Sequence, residues 1–321
     1  MSREPRIRTV AVLGAGVMAS EMIPLLRRSG FRLRLYNRGV ERLRAVAGAD
    51  EVAATPREAA EGADLICSVV ADDDAGRAVW TGPDGALAGL RTGAVAMECS
   101  TLSHRWADTW ARMVEACGGL PADAPVTGSR PRARSGELIM FLGADDETAE
   151  LLRPVTDVLT ERVYRLGPPG FGTRFKLAHN LLAASLLAAL SEALNLSDCM
   201  GLPTGTVGEI LSTYGWASGV ASTYSDNMLS DRHDQIMCRL GLIAKDVRYA
   251  VDAAREHRAE VPLGEAADRG LRRVVAEGHG DLDMSAIMRL YSSAVAVPGT
   301  AGTGPSDARP FDTDRRPRRA L

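Results

Sequence analysis

The sequence predicts an α/β chain in two parts: a doubly wound sheet over residues 1–167, and an all-α domain over 168–295 joined to it by one long interdomain helix. Three observations carry this. Strand-like apolar runs alternate with helical patterns from Thr9 to Leu166, as in a sheet built from βαβ units. Gly167-Pro168-Pro169-Gly170 then interrupts the pattern as a hinge, and no strand signal follows it. From Thr173 to Met200 the chain is apolar nearly all round (Phe175, Leu177, Leu181, Leu182, Leu186, Leu187, Leu190, Leu194), the composition of a helix buried in the middle of a molecule. Residues 296–321, rich in Gly, Pro, Asp and Arg, cannot bury a core and are expected to form a disordered tail.

At 321 residues, 45% apolar and 25% charged, the chain is long enough for two cores and ordinary for a soluble globular protein. A net charge of −3 gives no long-range attraction for nucleic acid or anionic membrane, and neither is expected as a partner. The five cysteines, Cys67, Cys99, Cys117, Cys199 and Cys238, are odd in number and form no CxxC. That disfavours disulfides and a metal site and suits free thiols in a reducing cytoplasm. The charged N-terminus lacks the apolar core of a signal peptide, and no window reaches the roughly 18 consecutive apolar residues of a membrane span.

Taken in order, Thr9–Leu13 is a first strand, ending in Gly14-Ala15-Gly16, and a helix follows to about Arg28. Strand, glycine turn and helix carry GxGxxA at Gly14, Gly16 and Ala19, the dinucleotide-binding fingerprint of a Rossmann sheet. The glycines allow a tight turn and close backbone approach to a pyrophosphate at the helix N-terminus. The plain alternative is a glycine-rich turn without a ligand. Pro24 removes a backbone donor inside that helix and should kink it.

The second strand, Arg32–Tyr36, runs into Asn37-Arg38, with Arg42 one turn further on. An NAD site usually has a carboxylate here for the ribose 2′-hydroxyl; none is in position. Two guanidiniums suit a 2′-phosphate, so NADP is the expected cofactor and NAD the alternative. Otherwise Arg38 and Arg42 are only solvated residues of an arginine-rich chain.

Thr55-Pro56-Arg57-Glu58 opens a helix as a capping box. Leu65–Val70 and Ala94–Glu98 are buried strands, the second leading through Cys99-Ser100-Thr101 to a helix capped by Ser103. A strand over Leu120–Val126 runs into Thr127-Gly128-Ser129. Strand Glu137–Gly143, helix Asp145–Thr160 and strand Arg162–Leu166 complete the sheet. Open α/β sheets bind ligands at strand ends, so Val70, Ser100, Thr101, Thr127, Gly128 and Ser129 are candidates by position. Caps and turns alone would also account for the Ser and Thr among them.

Beyond the hinge lies GFGTRFKLAHN, Gly170–Asn180. The chain holds only two lysines, Lys176 and Lys245. Arginine cannot exchange a proton near neutrality, whereas a buried lysine can be tuned to do so. Lys176 and Asn180 share one helix face and are expected to look back at the cofactor cleft, against an alternative in which Lys176 pairs a carboxylate across the domain interface. In Ile236–Ala254 the apolar stripe Ile236, Leu240, Ile243, Val247, Val251, Ala254 turns inward, which leaves Lys245 on the solvent face. Further helices are expected over Thr204–Ser212, Ala217–Met228, Leu263–Glu277 and Met284–Tyr291.

Four motifs in order resemble the β-hydroxyacid dehydrogenase family of 3-hydroxyisobutyrate dehydrogenase and glyoxylate/succinic semialdehyde reductase, over about residues 8–292. They are VAVLGAGVMA with Asn37-Arg38, DAPVTGSRPRARSGEL at Asp123–Leu138, GFGTRFKLAHN, and Lys245-Asp246. The resemblance implies hydride transfer between NADP(H) and a small 3-hydroxy acid or its aldehyde or keto acid. Lys176 would be the catalytic lysine and Asn180 the amide that orients the substrate oxygen. Ser100, Thr101, Thr127, Gly128, Ser129 and Lys245 would contact a carboxylate-bearing substrate. Gly14, Gly16, Val17, Met18, Asn37, Arg38, Val70, Thr101, Lys245 and Asp246 would contact cofactor, beside Arg42 from the charge argument. It also implies a homodimer or homotetramer assembled through the helical domain. His179 in place of the first Asn of the family's pair, Ser129-Arg130 after Thr127-Gly128, and Cys238 where an aromatic is common depart from the pattern, so reaction type transfers better than substrate. An imine reductase of the same architecture usually carries another residue at the lysine position.

Overall fold

A computed structural model of the chain describes residues 7–214 and 217–292. Its strands are β1 (Thr9–Leu13), β2 (Arg32–Tyr36), β3 (Glu51–Val52), β4 (Leu65–Ser68), β5 (Val95–Glu98), β6 (Leu120–Asp123), β7 (Val126–Thr127), β8 (Leu138–Gly143) and β9 (Thr160–Gly167). They form one sheet in the order β3-β2-β1-β4-β5-β6-β8-β7, with β9 on β8. Every pairing from β3 through β6 is parallel, β8 runs antiparallel to β6 and β7, and β9 runs parallel to β8.

Both faces of a parallel sheet are covered, which is why its strands read as unbroken apolar runs. Side chains alternate between the faces. Val10 and Val12 of β1, with Leu65, Cys67, Val95 and Met97, enter a core with Met22 and Leu26; Ala11, Leu13, Ile66 and Ala96 enter the opposite core with Trp80 and Trp110. The helices between strands are α1 (Val17–Arg28), α2 (Val40–Ala47), α3 (Pro56–Ala60), α4 (Asp73–Trp80), α5 (Ala86–Gly89), α6 (His104–Ala116), α7 (Ser129–Ser135) and α8 (Asp146–Leu159). The capping box forms as its sequence requires: Thr55 accepts from the Glu58 N–H at 3.0 Å, and Glu58 reaches back to the Ala54 N–H at 2.6 Å. α1 continues through Pro24 without interruption.

The helical half consists of α9 (Phe171–Cys199), α10 (Thr204–Thr213), α11 (Ser218–Leu229), α12 (Leu240–Glu256), α13 (Pro262–Val274), a π turn at Val275–His279, a 3-10 helix at Met284–Met288 and α14 (Arg289–Ser292). By length and composition α9 could cross a membrane. One face of it belongs to the core, where Leu187, Leu190 and Leu194 pack with Leu240, Ile243 and Val247 of α12.

Asp123, the last residue of β6, seats α9 on the sheet. It is fully buried, and its two carboxyl oxygens accept from the Gly170 N–H at 2.6 Å and the Thr173 N–H at 2.5 Å, groups that a helix N-terminus leaves unsatisfied. Contact is close enough to exclude side chains. A Cβ on Gly172 would stand 2.2 Å from the Phe141 carbonyl oxygen, and one on Gly143 2.2 Å from Asp123 Oδ1. Burial pushes the Asp123 carboxyl up to about 6, against the pull of the two N–H groups.

Several expectations need correction. The long helix is not buried all round: Phe175, Leu182, Leu186 and Leu196 are exposed along one flank, because the sheet and α12 cover only the other. Leu120–Val126 is not one strand; β6 stops at Asp123, and Ala124-Pro125 separates it from the two-residue β7. The turn after β7 opens a helix, α7, that the arginine-rich sequence does not advertise. β4 ends at Ser68, short of Val70, and Ile236 lies outside α12 and is exposed. The expected tail lies outside the described residues.

Asp123→Ala leaves two buried N–H groups without an acceptor, and a lost cap with unsatisfied donors costs about 2 kcal/mol or more. Urea unfolding at pH 7 is expected to show that loss; an unchanged midpoint would mean that the cap does not hold α9.

Candidate active site

The crevice of a doubly wound sheet opens where strand order reverses, here between the carboxyl ends of β1 and β4. Gly14 stands there with φ +112°, and a Cβ on it would fall 2.2 Å from the Val69 carbonyl oxygen, so only glycine fits. A Cβ on Gly16 would meet nothing within 4 Å: that side of the turn is open. Asn37 fixes the turn by accepting from the Ala15 N–H at 3.0 Å while donating to the Gly39 carbonyl at 2.7 Å. Val17, at the first position of α1, is exposed and Met18 is half-buried. A tight glycine turn, free space beside it and a helix N-terminus behind it fit a dinucleotide pyrophosphate.

At the end of β2 a pocket is lined by Tyr36, Asn37, Arg38, Val40, Leu43 and Val52–Ala54, in the place an adenosine would take. Arg38 and Arg42 are exposed beside it and make no ion pair among the described residues. On the other side of the crevice the Val70 N–H donates to Ser100 Oγ at 2.7 Å. Ser100 is held in turn by Glu98, whose buried carboxyl accepts from the Ser100 N–H (2.9 Å) and from Trp80 Nε1 (2.7 Å). Burial raises the Glu98 carboxyl. Sequence reasoning passed over Glu98; an acid at the end of a wholly apolar strand was its one visible signal.

α9 carries Lys176 and Asn180 to the junction of the two halves, each 7% exposed. Asn180 Nδ2 donates to Asp246 Oδ2 at 2.6 Å, and its Oδ1 meets His179 Nδ1 at 3.0 Å. Asp246 Oδ1 lies 2.8 Å from Lys245 Nζ, which also donates to the Thr101 carbonyl at 2.5 Å. Lys176, Asn180, Asp246, Lys245 and Thr101 are thus one cluster. Lys176 alone among them makes no hydrogen bond or ion pair with the described residues. Burial lowers it from the usual lysine value, opposed by the nearby Asp246 and assisted by Lys245. Burial lowers His179 as well, and pushes the neighbouring Cys238 thiol up to about 12, so that it is no thiolate.

One placement differs from what the apolar stripe of its helix alone gives. Lys245 is not a solvated surface residue: its side chain is 19% exposed and reaches across to the nucleotide-binding half. Asp246 directs its carboxylate to Asn180 and Lys245. Thr127, Gly128 and Ser129 are half-buried in the turn between β7 and α7, where Gly128 has φ +129° and Ser129 φ +57°. A non-glycine residue at such φ is strained. Arg130 and Arg134 are drawn to Glu21 of α1 at 2.6 and 2.9 Å, and they hold its carboxyl down at about 2.

Residues 9–167 match the family model of the NAD-binding domain of 6-phosphogluconate dehydrogenase, and residues 170–291 that of the NAD-binding domain of NADP-dependent 3-hydroxyisobutyrate dehydrogenase. The NAD-dependent L-serine dehydrogenase of Pseudomonas aeruginosa is 28% identical, over 89% of this chain and 98% of that protein. The L-threonate dehydrogenase of Cupriavidus necator is 28% identical, over 92% and 99%. Among solved structures, Mycobacterium tuberculosis 3-hydroxyisobutyrate dehydrogenase with L-serine superposes at a TM-score of 0.78 and 25% identity, covering 88% of this chain and 98% of that one. With both domains matched in order from residue 9 to residue 291, the chain belongs to the β-hydroxyacid dehydrogenases, nicotinamide-nucleotide-dependent oxidoreductases acting on CH–OH groups.

Proposed function

We propose that the protein interconverts a small 3-hydroxy acid and its aldehyde or keto acid with NADP(H), Lys176 serving as general acid/base. The observation that carries this is an unpaired lysine amine, buried beside a bonded amide and depressed by that burial. When bound, the nicotinamide nucleotide supplies or accepts the hydride. In the oxidation direction neutral Lys176 takes the hydroxyl proton; in reduction the ammonium returns it. Asn180, its amide fixed by His179 and Asp246, orients the substrate oxygen. Thr127, Gly128 and Ser129 offer hydroxyl and backbone donors for a carboxylate, and strain at Ser129 is in keeping with a ligand-binding turn. Arg38 and Arg42 take the 2′-phosphate. The exposed apolar flank of α9, Phe175, Leu182, Leu186 and Leu196, supports burial against a second copy of the chain.

Lys176→Met is expected to lower turnover by about 10²–10⁴-fold, the usual share of a general acid/base, with NADPH affinity nearly unchanged. A panel of L-serine, other 3-hydroxy acids, glyoxylate, semialdehydes and cyclic imines supplies the assay, and undiminished turnover would refute the role. The same variant should be more stable to urea at pH 7. The folded amine has its proton affinity lowered, so the ammonium form is the one burial penalises, and removing it relieves that cost. In the wild type, oxidation should gain rate as pH rises through a midpoint below 10.5, and reduction should lose rate through the same midpoint.

Arg38→Ala with Arg42→Ala removes two charge-assisted contacts and should weaken NADPH by about 10-fold or more, leaving NADH within about 2-fold. Equal binding of NADPH and NADH by the wild type, in fluorescence titration, would overturn the assignment of the 2′-phosphate.

A further inference from the structure

The cluster at the domain junction holds two lysines and one carboxylate. Asp246 stands between Asn180 and Lys245, and its Oδ1 accepts no aligned hydrogen bond, so its contact with Lys245 at 2.8 Å is an ion pair with acceptor capacity left over. Lys245 has further support for its charge. The Thr101 carbonyl takes a hydrogen bond from Nζ at 2.5 Å, and the Tyr249 ring centroid lies 5.1 Å away. Lys176 has none of these. Its charged and titratable neighbours are Asp246 and Lys245 of α12, Cys238 of the preceding loop and His179 of its own helix. Of these, only Asp246 would stabilise an ammonium as an anion, since the thiol is protonated and the imidazole is held neutral by burial.

We propose that Lys245 is the positioning residue that keeps Lys176 unpaired: by pairing with Asp246, the carboxylate bonded to Asn180 one turn along from Lys176, and by adding its own positive charge, it weakens the hold of that carboxylate on the buried amine. This rests on the reading of Lys176 as the proton carrier for its consequence, though not for its test. An anion already facing one cation and one amide attracts a second cation less, and the cation with a carbonyl and an aromatic face is the one held beside it. An opposite charge at such range moves a titration by about 1–3 units, and a like charge opposes it. Removing Lys245 therefore acts twice in the same direction on Lys176. The seam adds a geometric condition, because Lys245 is anchored to Thr101 in the other half of the molecule. Tyr249 and Glu256, further along α12, meet the Asp73 N–H at 3.4 Å and His104 at 2.9 Å in that same half. The pairing of Asp246 is thereby tied to the approach of the two halves.

The experiment exploits the lysine count. In protein made with [ε-¹³C]lysine only two side-chain resonances arise, from Lys176 and Lys245, and Lys245→Arg assigns them. Each is followed through a pH titration in the full chain with saturating NADPH and without it. Lys176 should titrate below 10.5 in the wild type and in Lys245→Arg. In Lys245→Gln its midpoint should rise by about 1 unit or more, and in Asp246→Asn it should fall. A Lys176 midpoint that stays within about 0.3 units of wild type in Lys245→Gln overturns the proposal, since a residue serving only structure or ligand binding would leave it unmoved. Turnover of Lys176→Met tests the catalytic reading separately, so the two can fail independently.

Discussion

Everything in the cleft depends on a buried carboxylate that belongs to neither reactant. Asp123 ends β6, where a parallel strand must stop, and accepts the two backbone N–H groups that open α9. Helix termini need such partners, and here the partner is also the joint between a sheet and a helical domain. The fit is exclusive of side chains at Gly172 and Gly143, so α9 can neither slide nor rotate on the sheet. Lys176 sits one turn beyond Thr173 and Asn180 one turn beyond that. Their placement beside Asp246 and Lys245, at the junction of the two halves, is inherited from this cap.

The same arrangement sets the electrostatics. Lys176 is buried, with Lys245 nearby and Asp246 engaged by Asn180 and Lys245. Burial, the largest influence, and Lys245 favour the neutral amine, against the pull of Asp246 and Cys238. Arginine would keep its charge in that setting and exchange nothing. The two lysines therefore divide the work by environment: one is held by a carbonyl, a carboxylate and a ring, while the other is left with nothing.

Much of this was legible in the sequence. The GxGxxA turn, the alternation of strands and helices and the Gly-Pro-Pro-Gly hinge each reflect a local requirement of backbone or patterning, so each could be read where it stands. Lys176 stood out because lysine is rare in this chain and sits among leucines. Other features were not legible, because they depend on which distant segments meet. Nothing near Asp123 announces that it caps a helix 47 residues on. That Asp246 meets Asn180, 66 residues earlier, could not be read from the pair Lys245-Asp246 itself. The exposed flank of α9 is as apolar as its buried one, and composition cannot distinguish a face covered by this chain from one that is not. The short α7 escapes because three arginines suggest a solvated loop, whereas Arg130 and Arg134 are tethered to Glu21.

The order of strands in the sheet has a kinetic consequence. Val10 pairs alongside Leu65, and Leu65 alongside Val95, so the walls of the crevice come from segments far apart in the chain. Gly170 then finds Asp123 only once β6 has taken its place beside β5. Contacts of this kind form late, because the entropy of closing long loops is lost before the pairing returns any stabilisation. The cleft, assembled from contacts that long loops must close, is expected to gain its structure late in folding.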